Sequence, residues 1–380
     1  MIVKTWLYII IIIYLTIQIL FGVISIKIVK PAHKVRRKEP KFYPLVSVVI
    51  PAKNEENNIQ NCLDSLMVLN YPDFEVIVVE GNSTDKTQEI LKEYQVKMKQ
   101  LIVIQEETKP KGWVGKPWAC HSGYQHTKGD VLLFTDADTI HSPNSLRYMI
   151  GELEDSLGFI TLLTTQILKS FWEKILLLVF IIGTVSLGGY SNNKRHSFAN
   201  GQYMMFKREV YEEIGGFQSV KNAIVDDYAM GKMGRDLGYD PKVLRLYGCV
   251  FARMYQSLRE IKQGYSKNLA IGVSLLNKSE IAKANAIGTW AIAPIIILLL
   301  SLISSDNVLE TIGFVLALIF YLSFLYLLHI VQKSATTGVS WHILLFPIHY
   351  MLYQIIVLNS IIDTKIKKKV VWKSESYKVN

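Results

Sequence analysis

Apolar and polar positions fall into three regimes along this chain. The first is an almost unbroken apolar run from about Trp6 to Ile28, continuous from Ile9 to Ile13. Crossing the hydrocarbon core of a bilayer takes roughly 20 residues, so this run predicts a membrane helix. It is too long for the apolar region of a cleaved signal peptide, and no small-residue cleavage site follows it. A retained anchor over residues 1–30 is therefore expected. The second regime starts at Leu45, where short apolar runs alternate with amphipathic stretches. Strands are predicted at Val46–Pro51, Phe74–Val79, Leu101–Ile104 and Val131–Phe134. Helices are predicted at Asn54–Leu69, with Ile59, Leu63, Leu66 and Met67 on one face, at Thr87–Tyr94 behind a Ser83-Thr84-Asp85 cap, and at Pro117–His126. Strands separated by helices of this size imply βαβ units and a doubly wound α/β sheet over about residues 45–270.

The third regime follows Gly264. Ala284–Ile303, Leu309–Val331 and Trp341–Ile362 are apolar and of spanning length, making residues 284–363 a C-terminal membrane region. Ser304-Ser305-Asp306-Asn307 carries no positive charge and reads as an external hairpin. The third segment contains His342, Pro347 and His349 and precedes Lys365, Lys367, Lys368, Lys369 and Lys373. If it spans, the basic tail at 364–380 lies outside; if it is re-entrant or interfacial, the tail stays inside, which the charge favours. A further apolar run, Ile175–Leu187, is short for a span. A crossing there would put Asp138 and the Asp226-Asp227 pair on opposite sides of the membrane. An interfacial helix within 170–190 is expected, with a core helix as the alternative.

Composition changes this picture in two places. The net charge is +10 over 380 residues, and many of the basic residues are juxtamembrane. Lys27, Lys30, Lys34, Arg36, Arg37, Lys38 and Lys41 follow the first apolar run, which orients that flank to the cytoplasm and suits anionic headgroups. A membrane surface, not nucleic acid, is the expected partner. The three cysteines, Cys62, Cys120 and Cys249, are far apart and form neither a disulfide framework nor a zinc motif.

Candidate chemistry lies after the predicted strands. Leu132-Leu133-Phe134-Thr135 runs into Asp136-Ala137-Asp138, so two carboxylates sit where open α/β sheets bind ligands. Oxygen ligands beside a diphosphate suit Mg²⁺ or Mn²⁺. Pro51-Ala52-Lys53-Asn54-Glu55-Glu56 follows the first strand, Glu80-Gly81-Asn82-Ser83-Thr84-Asp85 the second, and Lys111-Gly112-Trp113-Val114-Gly115-Lys116-Pro117-Trp118 precedes the third helix. A nucleotide sugar needs such a set: acceptors for base and ribose, a cation for the diphosphate, and charge stabilisation on the leaving group. Taken singly, each of these loops is an ordinary solvated turn.

Together and in this order, these motifs and Asp226-Asp227 resemble the family 2 inverting glycosyltransferases, over about Leu45 to Leu269. The resemblance implies a GT-A nucleotide-diphospho-sugar transferase fold. It implies that Pro51, Glu55, Glu80, Lys116, Asp136 and Arg253 lie at the nucleotide sugar, that Asp138 is the metal ligand, and that Asp227, with Asp226 next, is the general base. One departure is Gly81, where the family usually carries a second acid. Gly112-Trp113-Val114-Gly115-Lys116-Pro117-Trp118, Gly201-Gln202-Tyr203-Met204-Met205-Phe206 and Arg253-Met254-Tyr255-Gln256 are similar to a subgroup that glycosylates carotenoid acids and other isoprenoid lipids. The implied activity is transfer from a nucleotide sugar, UDP-linked, to an isoprenoid-type lipid at the cell membrane, with the catalytic domain facing the cytoplasm. A polyisoprenyl-phosphate acceptor and a non-catalytic membrane scaffold are the alternatives. Trp113 and Trp118 read as an acceptor platform, an interface anchor or core packing.

Overall fold

In the computed structural model, the described residues are 33–177, 179–181, 199–275, 308–338, 341–367, 369–372 and 375–378, with the isolated Ile13 and Ile292. The expected anchor over 1–30, the segment Ala284–Ile303 and the hairpin at 304–307 lie essentially outside them. The chain divides into two compact units. One comprises Pro31–Ile167 and Gly189–Met254, the other Met1–Lys30, Leu168–Gly188 and Tyr255–Asn380.

The first unit is an α/β layer structure on an eight-stranded sheet. Its strands are β1 (His33–Lys34), β2 (Val46–Ala52), β3 (Phe74–Glu80), β4 (Leu101–Gln105), β5 (Val131–Thr135), β7 (Phe159–Leu163), β9 (Tyr203–Lys207) and β10 (Lys242–Arg245), in the order β1-β10-β7-β9-β5-β2-β3-β4. A second sheet joins β6 (Thr139–His141), β11 (Val250–Ala252) and β8 (Thr165–Gln166). All four predicted strands are present and parallel to their neighbours among themselves. Beyond these four strands the sheet is mixed: β9 runs antiparallel to both β5 and β7. Tyr203-Met204-Met205-Phe206 is buried on both faces. A continuous apolar run marks such a strand without fixing its direction.

The sheet is covered on both sides, as the alternation in β2 illustrates. Val46, Val48 and Ile50 pack with Ile59, Leu63 and Leu66, whereas Val49 packs on the other face with Phe134, Phe206 and Phe217. Helix α1 (Ile59–Met67) is shorter than expected. Asn54 takes a left-handed conformation (φ 54°), and its side-chain oxygen accepts the Thr84 N–H, so the segment before Ile59 is a loop. Helix α2 spans Thr87–Lys97, with Asp85 accepting from the Thr87 N–H and hydroxyl at 3.0 and 2.6 Å. Helix α3 (Gly115–Tyr124) lies flat on the sheet. A Cβ at Gly123 would stand 2.5 Å from Val49 Cγ1 and 2.9 Å from Val79 Cγ2, so only glycine allows this approach.

Helix α4 (Ser145–Glu154) anchors the segment that precedes the domain. Glu152, 1% exposed, receives the Lys242 ammonium at 2.7 Å and the Arg36 N–H at 2.8 Å. Arg36 and Lys38 both bond Asp155, at 2.7 and 3.1 Å. Two residues of the basic flank therefore pair with acids of the α4 end. Helices α5 (Arg208–Glu213), α6 (Gly216–Ser219) and α7 (Asp226–Asp236) complete this unit.

In the second unit, α8 (Leu258–Leu275), α9 (Val308–Ala335) and α10 (Phe346–Ile361) are the main helices, and β12 (Lys369–Trp372) pairs antiparallel with β13 (Glu375–Lys378). Phe314–Ala335 and Trp341–Ile361 are long and apolar enough to cross a membrane. The described part of the 170–190 segment is a π-helical turn, Glu173–Leu177, whose Ile175, Leu176 and Leu177 are buried. Val179 packs with Phe324, Leu325, Leu328 and Phe346. Residue 178 and residues 182–190 lie outside the description.

Candidate active site

The candidate residues gather at the C-terminal ends of β2, β3 and β5, where parallel strands point their last residues into the same loops. The loops after β2 and β3 interlock. Asn54 N–H donates to Ser83 Oγ (2.9 Å), Glu55 N–H to Thr87 Oγ1 (2.8 Å) and Glu56 N–H to Asp85 Oδ2 (3.1 Å), while Lys86 N–H returns to Glu56 Oε2 (3.1 Å). Pro51 lies in β2 opposite Val79, and Glu55 Oε2 accepts from Asn58 Nδ2 at 2.8 Å. Gly81 lets the two loops touch: a Cβ there would lie 3.0 Å from Lys53 Cβ. That close approach is a physical reason for a glycine at the position where the family usually carries an acid.

Glu80 organises this loop pair. It is 1% exposed and accepts from the N–H groups of Asn82 (3.1 Å) and Ser83 (2.7 Å) and from the amides of Gln88 (2.9 Å) and Gln105 (2.8 Å). Burial pushes its carboxyl up, but the Ser83, Gln88 and Gln105 donors outweigh burial and hold it below the ordinary glutamate range.

Asp136 and Asp138 flank the buried Ala137 just past β5. Below them lies a hydroxyl network. Thr139 Oγ1 donates to the Asp136 carbonyl (2.7 Å), Thr135 Oγ1 donates to the Gln202 carbonyl (2.8 Å), and His141 Nε2 lies 3.2 and 3.4 Å from the two hydroxyls. Burial pushes the His141 imidazole down to about 4, so it is neutral at pH 7. The second sheet brings Arg253 to this loop: Ala252 pairs with Thr139, and the next residue donates its N–H to the Asp138 carbonyl at 3.2 Å.

Lys116 links that strand end to the second acidic pair. It sits two helical turns before Gly123, on the same face of α3. Its Nζ lies 2.6 Å from Asp136 Oδ1 and 3.9 Å from Asp226 Oδ2, and it donates to the Gly201 carbonyl at 3.4 Å. Asp226 and Asp227 form the first turn of α7, where an anion is favoured by the helix dipole. Asp227 accepts from Gly201 N–H (3.0 Å) and from Tyr228 N–H (2.8 Å). Burial, then the charge of Asp226, push the Asp227 carboxyl up; Lys116 and the two N–H groups oppose this without cancelling it. Burial would lower the Lys116 ammonium, but Asp136 and Asp226 hold it well above its usual range.

Lys116, Asp136, Asp226 and Asp227 thus form one cluster, with Asp138 and Arg253 adjoining through the acidic loop, while Glu55 and Glu80 sit in the interlocked loops. Gly201 had no assigned role in the sequence. Its signal was a glycine two residues before the apolar run Tyr203–Phe206, and the reason is space: a Cβ would lie 3.1 Å from Lys116 Nζ and 3.2 Å from Asp227 Oδ2. Trp113 and Trp118 pack edge-on at 5.2 Å, and both rings lie tilted against His121 at 5.0 and 6.0 Å. Trp118 and His121 are one turn apart on a different face of α3 from Lys116, Cys120 and Gly123, so they do not line the carboxylate cluster.

The oxygen donors of Asp136 and Asp138 suit Mg²⁺ or Mn²⁺. Among the described residues no three His, Cys, Asp or Glu side chains converge as a metal cage. Such cations commonly take one or two carboxylates and complete their shell with substrate phosphates. The residues present fit a cation shared with a diphosphate, not a free-standing metal centre.

The profile of Glycosyl transferase family 2 matches residues 47–215. The 4,4'-diaponeurosporenoate glycosyltransferase of Staphylococcus haemolyticus is 26% identical over 246 residues, covering 63% of this chain and 64% of the relative. The protein of the same name from Staphylococcus aureus (strain USA300) is 26% identical over 248 residues, covering 63% and 65%. The chain thus spans just under two thirds of the length of these curated relatives. Among solved structures, the mannosyltransferase PcManGT from Pyrobaculum calidifontis, in complex with GDP-Man and Mn²⁺, superposes with a TM-score of 0.56 at 18% identity, over 94% of this chain and 99% of that one. That likeness concerns the fold. The stretch that matches the glycosyl transferase family 2 profile runs from β2 to just past α5.

Proposed function

We propose that this protein is a membrane-bound glycosyltransferase that moves a sugar from a nucleotide sugar, UDP-linked, to an isoprenoid-type lipid acid, with inversion at the sugar carbon. The observation that carries the reading is the Lys116 bridge, which draws the strand-end carboxylate Asp136 and the helix-start pair Asp226-Asp227 into one cluster. The names of the curated relatives support a carotenoid-acid acceptor, and the complex of the structural neighbour supports a nucleotide-sugar donor with a divalent cation. Two apolar helices of spanning length support membrane attachment. With the basic flank they motivate a multi-pass chain whose catalytic domain faces the cytoplasm, close to an acceptor that does not leave the bilayer.

In a single inverting displacement, an acceptor oxygen attacks the anomeric carbon as the bond to the diphosphate oxygen breaks. The nucleoside diphosphate departs with the electron pair. Asp138, with Asp136 beside it, would hold the Mg²⁺ or Mn²⁺, which when bound offsets charge on the leaving diphosphate. Lys116 and Arg253 add positive charge on that side; Arg253 is suited to bidentate phosphate contact. Pro51, Glu55 and Glu80 shape the nucleotide side of the cleft, Glu80 by holding the loop that meets the donor. Toward a hydroxyl acceptor, Asp227 takes the proton from the face opposite the leaving group. A carboxylic acid acceptor is already ionised at pH 7, so Asp227 then orients the nucleophile and its proton affinity matters little.

The direct test incubates membranes holding the full chain with labelled nucleotide sugars and an isoprenoid-acid extract, with and without EDTA. Label should enter the lipid fraction from a UDP-sugar and stop with EDTA. Labelling that continues unchanged in EDTA contradicts the metal role, and no labelling from any nucleotide sugar contradicts the enzyme.

A further inference from the structure

We propose that Lys116 is a resident cation. Without nucleotide it neutralises the carboxylate that a divalent ion requires, so that metal and nucleoside diphosphate bind together rather than separately. This deepens the reading of Asp136-Asp138 as the donor site and rests on it.

The geometry gives the reason. Lys116 Nζ lies 2.6 Å from Asp136 Oδ1, an ion-pair contact. A dication approaching the same carboxylate must displace that ammonium or bind beside it, and like charges a few ångströms apart repel strongly even when partly solvated. The pair is open to solvent and to an entering ion: the side chains of Lys116 and Asp136 are 30% and 27% exposed. Lys116 also has somewhere to go. Asp226 Oδ2 lies 3.9 Å away and the Gly201 carbonyl 3.4 Å, and an entering diphosphate offers further oxygens. Helix α3 itself stays fixed, because Gly123 is wedged against Val49 and Val79. Only the flexible lysine stem needs to move. With no three-residue metal cage among the described residues, two carboxylates opposed by an ammonium make a poor site for a bare cation. The same site becomes a good one once a diphosphate adds oxygen ligands and negative charge.

Two consequences follow, and both are read by binding rather than turnover. Removing the ammonium should strengthen binding of Mn²⁺ alone. It should also weaken the coupling between metal and nucleotide, which is reciprocal by thermodynamic necessity. A lysine that merely braces the cluster would change thermal stability and leave Mn²⁺ affinity in the absence of nucleotide where it was.

The experiment titrates Mn²⁺ into the purified full chain, reading free ion by electron paramagnetic resonance, alone and then with UDP or GDP. In the wild type, nucleotide should tighten Mn²⁺ binding by at least about tenfold. Lys116→Gln and Lys116→Met should bind Mn²⁺ alone at least about tenfold more tightly than wild type, with the nucleotide effect reduced. Lys116→Arg, which keeps the charge, should resemble wild type. Equal Mn²⁺ affinity without nucleotide in wild type and the uncharged variants, with nucleotide-dependent binding intact, overturns the resident cation and leaves the donor site standing. Wild-type Mn²⁺ binding that is indifferent to UDP and GDP overturns it without recourse to any variant. No Mn²⁺ binding under any condition overturns both the inference and the metal role beneath it.

Discussion

At the scale of single residues, the roles of Asp138 and Asp227 separate by acceptor chemistry. With an isoprenoid acid as acceptor, Asp227→Asn should lower kcat/KM at least about tenfold less than Asp138→Asn does, because the nucleophile brings no proton to remove. With an alcohol acceptor the two losses should be comparable. The wild-type acid limb should then lie above the ordinary aspartate range, since burial and Asp226 raise the Asp227 carboxyl; it would be read from kcat/KM against pH. That limb belongs to the coupled pair, and Asp226→Asn should move it down. Gly201 offers a second residue-scale prediction. Gly201→Ala places a methyl 3.1 Å from Lys116 Nζ and 3.2 Å from Asp227 Oδ2. It should lower kcat by about ten- to a hundredfold through misplacement, with the thermal midpoint little changed. The acids were legible in the sequence because carboxylates past an apolar run have few bland explanations in combination. Gly201 was not, since a glycine's reason for being small lies in residues 85 and 26 positions away.

At the scale of elements, local pattern found what local pattern encodes. The alternation of β2, α1, β3, α2 and β4 follows from apolar periodicity, and each strand appeared where its run lay. The antiparallel β9 and the small sheet of β6, β8 and β11 depend on partners distant in sequence, which periodicity cannot name. The shortened start of α1 has a different cause: Asn54 exchanges helix for a left-handed turn bonded to Thr84. Helix α4 carries the stability prediction. Burial raises the Glu152 carboxyl, but the Lys242 and Arg36 hydrogen bonds outweigh it and leave it below its ordinary value. A depressed carboxyl contributes stability that is complete above the unfolded value and is lost as pH falls through the folded one. Glu152→Gln should therefore destabilise the domain by about 2–3 kcal/mol at pH 7. The difference from wild type should shrink below about pH 4, as followed by denaturant unfolding across pH. An unchanged difference at low pH would mean that the loss is one of packing rather than charge.

At the scale of the whole molecule, the sequence separated an α/β region from long apolar segments, because spanning length and strand length differ so plainly. It could not say what the basic flank does. Arg36 and Lys38 look like a headgroup-binding cluster in sequence, yet they pair with the acidic end of α4, a contact more than a hundred residues away. The central claim is that Asp138 anchors a cation-dependent sugar transfer. It is tested most directly by comparing transfer of labelled sugar to an isoprenoid acid by wild type and by Asp138→Asn at saturating Mn²⁺. The expected result is a loss of at least about a hundredfold in a variant that keeps its thermal midpoint; full activity in Asp138→Asn would contradict it.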